Sequence, residues 1–290
     1  MDWTWWILTS AVFLALYDLC KKASVAGNAV LPVLLFSSSA GFVAYSAGLA
    51  LNERLDAVAA LNAETLALSA AKCAIVGTSW IFTFRALRTL PVSIATPIRA
   101  SAPALVFLMA FLLYGERPAP MQAAGMAAVF AGYFAFSWAG RREGIDFFRD
   151  RAVWCAFAGA FFSAVSAIWD KYVFQIRSAP VETVQFAFQA GLVVFYAAVL
   201  GATACRKRIR GFEWRWTIPA TGTLLAAADW LYFHGLACPG APVSAASLVR
   251  RLSVVLTFFA GAKLFHETNI ARKTIALAAV VAGVVLICLG

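Results

Sequence analysis

The sequence predicts an all-α membrane protein of ten transmembrane helices, arranged as two inverted five-helix repeats around a central cavity. Three observations lead there: apolar stretches of spanning length, basic residues gathered in alternate connections, and an internal repeat that carries charge inside the apolar stretches. Of the 290 residues 62% are hydrophobic and only 13% charged, a composition that leaves too little polar surface to cover a water-soluble fold. A span needs roughly 20 mostly apolar residues. Ten segments meet that length, near 3–22, 30–51, 64–84, 91–114, 119–139, 152–175, 182–204, 216–237, 242–265 and 270–289.

The first stretch lacks the basic leader of a signal peptide, and Trp3, Trp5 and Trp6 read as interfacial anchors, so it is expected to stay as a helix. The net charge of +10 would suggest a nucleic-acid partner in a soluble domain, but here the excess lies between spans. Connections after the odd-numbered spans, taken with the span ends that flank them, hold 16 Lys and Arg, against 4 after the even-numbered ones. The odd connections, including "RREGIDFFRDR" and "CRKRIRGFEWR", are therefore cytoplasmic and both termini external. This places the chain as a multi-pass protein of the cell (inner) membrane, in contact with lipid and a small-molecule substrate rather than nucleic acid, as a monomer or homodimer.

Laying Pro91 on Pro242 without gaps pairs "PVSIATPIRASAPALVFLMAFLLYGER" with "PVSAASLVRRLSVVLTFFAGAKLFHET". Nine of 27 positions are identical, among them Arg99 with Arg250 and Glu116 with Glu267. Further on, "AAVFAG" lies over "AAVVAG"; earlier, "ALYD" ending at Asp18 matches "AIWD" ending at Asp170. Five spans per half is an odd number, so the halves enter the membrane from opposite sides, a plan common among secondary transporters. The predicted domains are a first repeat over 1–140, a basic cytoplasmic linker over 141–151 and a second repeat over 152–290.

Ten spans in two halves, each with a Pro-led fourth span closing on an acid ("YGERP" at 114–118, "FHET" at 265–268), resemble the drug/metabolite transporter superfamily, EamA type. The resemblance covers essentially the whole chain. It implies that spans 1, 3, 4, 6, 8 and 9 line a central cavity, which brings Asp18, Arg99, Asp170, Asp229 and Arg250 onto cavity-lining spans. Arg99 and Arg250 depart from the family, whose fourth and ninth spans are more often uncharged there, and the departure points to a specialised substrate.

Ionisable side chains at membrane depth are costly and normally face water or a partner. Arg99 and Arg250 lie about 12 Å inside their spans at a rise of about 1.5 Å per residue. The antiparallel course of the chain puts Asp18 in the layer of Arg99, and the repeat puts Asp170 in the layer of Arg250, with Asp229 beside them. Each couple has two readings: a permanent ion pair between helices, or a site where guanidinium forks receive an anion and the carboxylates a proton or an amine. Substrate-binding candidates are Arg99, Arg250, Trp80, Trp230, Asp18 and Asp170; proton-coupling candidates are Asp18, Asp170 and Asp229.

Lys72 either supplements a basic cavity or snorkels to the surface. Trp80 and Trp230 either wall the site or fill space, Tyr17 and Trp169 are expected to pack outward, and His234 reads as interfacial. Glu116 and Glu267 read as structural, capping the next span or pairing with Arg117 or Lys263. No catalytic residue, metal ligand or cofactor is expected. The six cysteines show no CxxC or Cys/His spacing, and HExxH, GxSxG, DxxD and Walker patterns are missing from the sequence. The expected function is alternating-access transport of a small organic anion or zwitterion. Export of hydrophobic cations is the alternative, and a lipid scramblase or membrane-integral enzyme the reading from another class.

Overall fold

The computed structural model describes residues 2–89, 102–138, 151–205, 211–253 and 256, with 278–279, 281–283, 285–287 and 289 near the C-terminus. Among them the chain is helical and has no strand. The helices are α1 (Trp3–Val25), α2 (Val30–Leu51), the short α3 (Asp56–Ala59), α4 (Ala63–Thr89), α5 (Ala102–Tyr114), α6 (Pro120–Trp138), α7 (Arg151–Lys171), α8 (Val181–Ala204), α9 (Thr217–Ala237) and α10 (Val243–Arg250). A π-helical turn, Tyr172–Ile176, follows α7 directly. Among the described residues five helices are long and apolar enough to cross a membrane: Trp3–Val25, Val30–Leu51, Ala63–Ala86, Arg151–Ile176 and Val181–Ala204. Each coincides with a predicted span to within a few residues.

The described chain forms two compact units, one from residues 1–77 and 172–238, the other from 78–171 and 239–290. Each draws on both halves of the sequence. Of the predicted basic linker, only Arg151 falls among the described residues, where it opens α7.

In the first unit α1 and α2 pack on α9, and α2 also on α8. Water-free packing in a bilayer rests on close approach and buried polar contacts rather than on the hydrophobic effect. Gly41 and Gly222 make such an approach: a Cβ on Gly41 would sit 2.8 Å from the Gly222 carbonyl oxygen, and one on Gly222 would overlap the carbonyl of Ser37. Hydroxyls and amides stitch the same helices. Ser10 Oγ donates to the Ala228 carbonyl at 2.6 Å, Ser24 Oγ to Thr217 Oγ1 at 2.7 Å, and Gln185 Nε2 to the Ala226 carbonyl at 2.7 Å. Cys73 donates to the Phe188 carbonyl at 3.3 Å and packs against Gly191, the small-residue role its sequence suggested.

In the second unit α5 packs on α7 and α10, and α10 also touches α6 and α7. Tyr114 donates to the Ile168 carbonyl at 3.0 Å, tying α5 to α7. Gly159 lets α7 meet the end of α4, where Ser79 Oγ donates to its carbonyl at 2.8 Å.

Candidate functional site

In the second unit the site is built from Glu116 outward. The α5 helix ends at Tyr114, and Gly115 takes φ 64°, a left-handed conformation that suits a residue without Cβ. Its N–H donates to Phe111 and that of Glu116 to Ala110, closing the helix with an αL-type cap. The turn aims the Glu116 carboxylate at the N-terminus of α10, where it accepts from Val243 N at 3.0 Å, Ser244 N at 3.3 Å and Ser244 Oγ at 2.6 Å. An acid there complements the positive end of the helix dipole. Lys171 Nζ closes the cluster at 2.5 Å from Oε1, with side chains 14% and 9% exposed. Glu116 is thus structural, as its sequence context suggested, but its partners are α10 and Lys171, not the next span or Arg117. Tertiary packing, not proximity in sequence, selects them.

The helix so anchored is short. Residues Val243–Val249 are buried, and helix α10 stops at Arg250, which is half-buried. Arg251 and Leu252 donate to Leu248 and Val249, three residues back, before Leu256 bonds four residues back to Leu252. The ninth apolar stretch is therefore interrupted at Arg250, about 12 Å from Pro242 at the helical rise. Broken helices at membrane depth are where transporters place binding groups. Asp170, 4% exposed, lies on α7 in the same unit, and α7 packs on α10. Trp80 sits in the part of α4 that belongs to this unit.

The first unit holds Asp18, Asp229 and Trp230. Asp18 is half-buried on α1 and Asp229 buried on α9. Arg99 and Glu267 lie outside the described residues. Lys72 does not snorkel. It is 2% exposed, and its Nζ lies 3.9 Å from the ring centre of Phe233, 4.8 Å from Phe188 and 6.0 Å from Phe174, the last supplied by the π-helical turn. Three ring faces make an electrostatic seat for a cation without water. Tyr17, 6% exposed, packs inward rather than outward.

His234 is more than an interfacial residue. Its Nε2 lies 3.5 Å from Glu182 Oε1, its Nδ1 2.9 Å from the Trp230 carbonyl, and its ring stacks on Trp6 at 5.3 Å. Trp6, expected as an interfacial anchor, meets Trp230 edge-on at 5.7 Å. Glu182 also accepts from Arg54 Nη2 at 3.0 Å, and its carbonyl from Tyr45 at 3.3 Å. Beside this cluster a cavity of about 480 Å³ runs between α2, α8 and α9. Sequence reasoning missed Arg54 and Glu182, which lie 128 residues apart. The available signal was an acid in the first turn of a span, favourable to the helix dipole. Among the described residues no group of three His, Cys, Asp or Glu is placed to hold a metal ion.

Residues 1–138 match the EamA-like transporter family. A solved crystal structure, of a chain 19% identical, superposes with a TM-score of 0.77 over 99% of this chain and 96% of its own, a likeness of fold. No curated protein sequence matches significantly. With its five membrane-length helices and this family match, the chain is a multi-pass membrane protein.

Proposed function

We propose, from the match of residues 1–138 to the EamA-like transporter family, that this chain belongs to the drug/metabolite transporter superfamily and is a secondary active transporter of a small polar organic anion or zwitterion. Amino acids, carboxylates and phosphorylated or phosphonate metabolites are the substrate class. Ten helices in two inverted five-helix repeats supply alternating access, and Asp18, Asp170 and Asp229 are the candidate proton carriers. The cell (inner) membrane is its proposed location.

One observation carries the reading. Arg250 is a permanent cation at a helix interruption, half-buried rather than sealed, on a helix whose far end Glu116 clamps. A guanidinium so placed presents a planar donor fork suited to carboxylate or phosphate. The repeat gives Arg99 the matching role in the fourth span. A second reading, export of hydrophobic cations, is favoured by Asp18, which is half-buried and accepts no hydrogen bond from any described residue.

The sign of the preferred ligand separates the two. Purified protein is screened by thermal shift against anionic metabolites and hydrophobic cations, with Arg250→Gln and Arg99→Gln alongside. Anions that bind the folded state raise its melting temperature, and the rise should vanish in either variant. Stabilisation by cations alone, undiminished in the variants, refutes the anion assignment.

A further inference from the structure

The cavity in the first unit is lined by none of Arg250, Asp18, Asp170 and Asp229. Its walls follow two helices: Ala44 to the C-cap Asn52 of α2, about 12 Å, and Thr223 to Trp230 on α9, about 10 Å, at the helical rise. Ala44, Gly48, Ala226 and Ala227 leave it room, and Trp230 provides an aromatic side. At about 480 Å³ it falls in the range of roughly 300–1,000 Å³ common for small-ligand pockets. It is thus an elongated, mainly apolar slot set along membrane helices.

Its mouth is charged. The end of α2, the start of α8 and the end of α9 meet there, so this is where membrane-spanning segments reach the headgroup layer. Glu182, with a side chain 17% exposed, already takes Arg54 at 3.0 Å and has His234 at 3.5 Å. Its carboxylate is committed. Arg54 is not: its side chain is 54% exposed, it places one nitrogen on Glu182, and its Nε lies 3.9 Å from Asp56. A guanidinium has five N–H donors, so several remain for an anion arriving from the headgroup layer, and the Glu182 contact can persist.

We propose that a phospholipid of the surrounding bilayer occupies this slot, one acyl chain lying between α2 and α9 and its phosphodiester on Arg54. The apolar length rejects a small hydrophilic anion, and the committed Glu182 rejects an amphiphilic cation. A phospholipid satisfies both ends.

The test uses the full chain in liposomes carrying a trace of phosphatidylglycerol with a diazirine on one acyl chain, followed by peptide mapping. Residues 44–49 and 223–230 should label several-fold above the outward residues Val12 and Leu16 of α1. Labelling should fall about tenfold in Arg54→Gln, the scale of one charge-assisted hydrogen bond. It should also fall in Ala227→Phe, which fills the slot, so loss of either variant to misfolding leaves the other to decide. A diacylglycerol probe without phosphate should label weakly, and excess glycerophosphate should not compete. Labelling no stronger than on Val12 and Leu16, or unchanged in the folded variants, overturns the proposal. Competition by glycerophosphate overturns it too, assigning the slot to soluble phosphate esters.

Discussion

Lys72 and Arg250 are both cations carried deep into apolar stretches, about 14 Å from Ala63 and about 12 Å from Pro242 at the helical rise, yet the protein treats them in opposite ways. Lys72 is sealed beneath three phenylalanine rings on an unbroken helix. Arg250 ends a short helix, remains half-buried, and is followed by a turn. The comparison teaches that depth alone does not identify a binding group. A charge sealed among rings contributes to stability, whereas the one left partly accessible where the helix gives way to a turn is the one proposed to meet a ligand.

The contrast can be broken in order of expected effect. Glu116→Ala should do most: it strands Lys171 and removes the acceptor of three donors at the start of α10, a loss of about 4 kcal/mol on the scale of a broken buried pair. Melting temperature in detergent checks it, and the response to ligand should weaken as well, because α10 carries Arg250.

Next, Lys72→Ala should cost about 3 kcal/mol, from the emptied volume and the lost cation–π contacts, measured in the same assay. It should leave ligand-induced shifts intact. Were those shifts to vanish while the fold survives, Lys72 would join the binding groups and the comparison would fail. Gly222→Ala, which forces a Cβ onto the Ser37 carbonyl, should cost about 2 kcal/mol, within the range for overpacking.

Arg250→Gln sharpens the other side. Its melting temperature should move by less than that of Lys72→Ala, while the stabilisation conferred by an anionic ligand disappears. Smallest of all is Glu64→Gln. Glu64 bonds Arg177 at 2.8 Å through Nε, but both side chains are exposed, so water and salt screen the pair and no change in melting temperature is expected. Glu64 holds the Arg177 pKa above its ordinary value. While Glu64 is ionised, stability from such a raised group is present below the ordinary arginine value and is lost only as pH rises through the raised one. A pH scan across the neutral range should therefore show no step from this pair.

Much of the helical framework was legible because apolar length and helical rise are local quantities. The stretches near 3–22, 30–51, 64–84, 152–175 and 182–204 reappear as membrane-length helices with ends shifted by a few residues. The sequence also marked Glu116 as structural from its place after a span, and Arg250 from its depth and its copy at Arg99. It did not show what they touch. The Glu116 contacts cross 127 and 128 residues to Val243 and Ser244, and the Lys72 cage gathers rings from three other segments.

By itself, then, the sequence determined that this is a helical membrane chain with an internal repeat and charge at depth, because hydropathy and spacing are written residue by residue. Only the tertiary structure decided that Lys72 is sealed, that α10 gives way to a turn at Arg250, and that Arg54, Glu182 and His234 meet at the mouth of a slot. Burial and pairing depend on which helices pack together. That choice is made by close approaches such as Gly41 against Gly222, whose partners the linear order does not reveal.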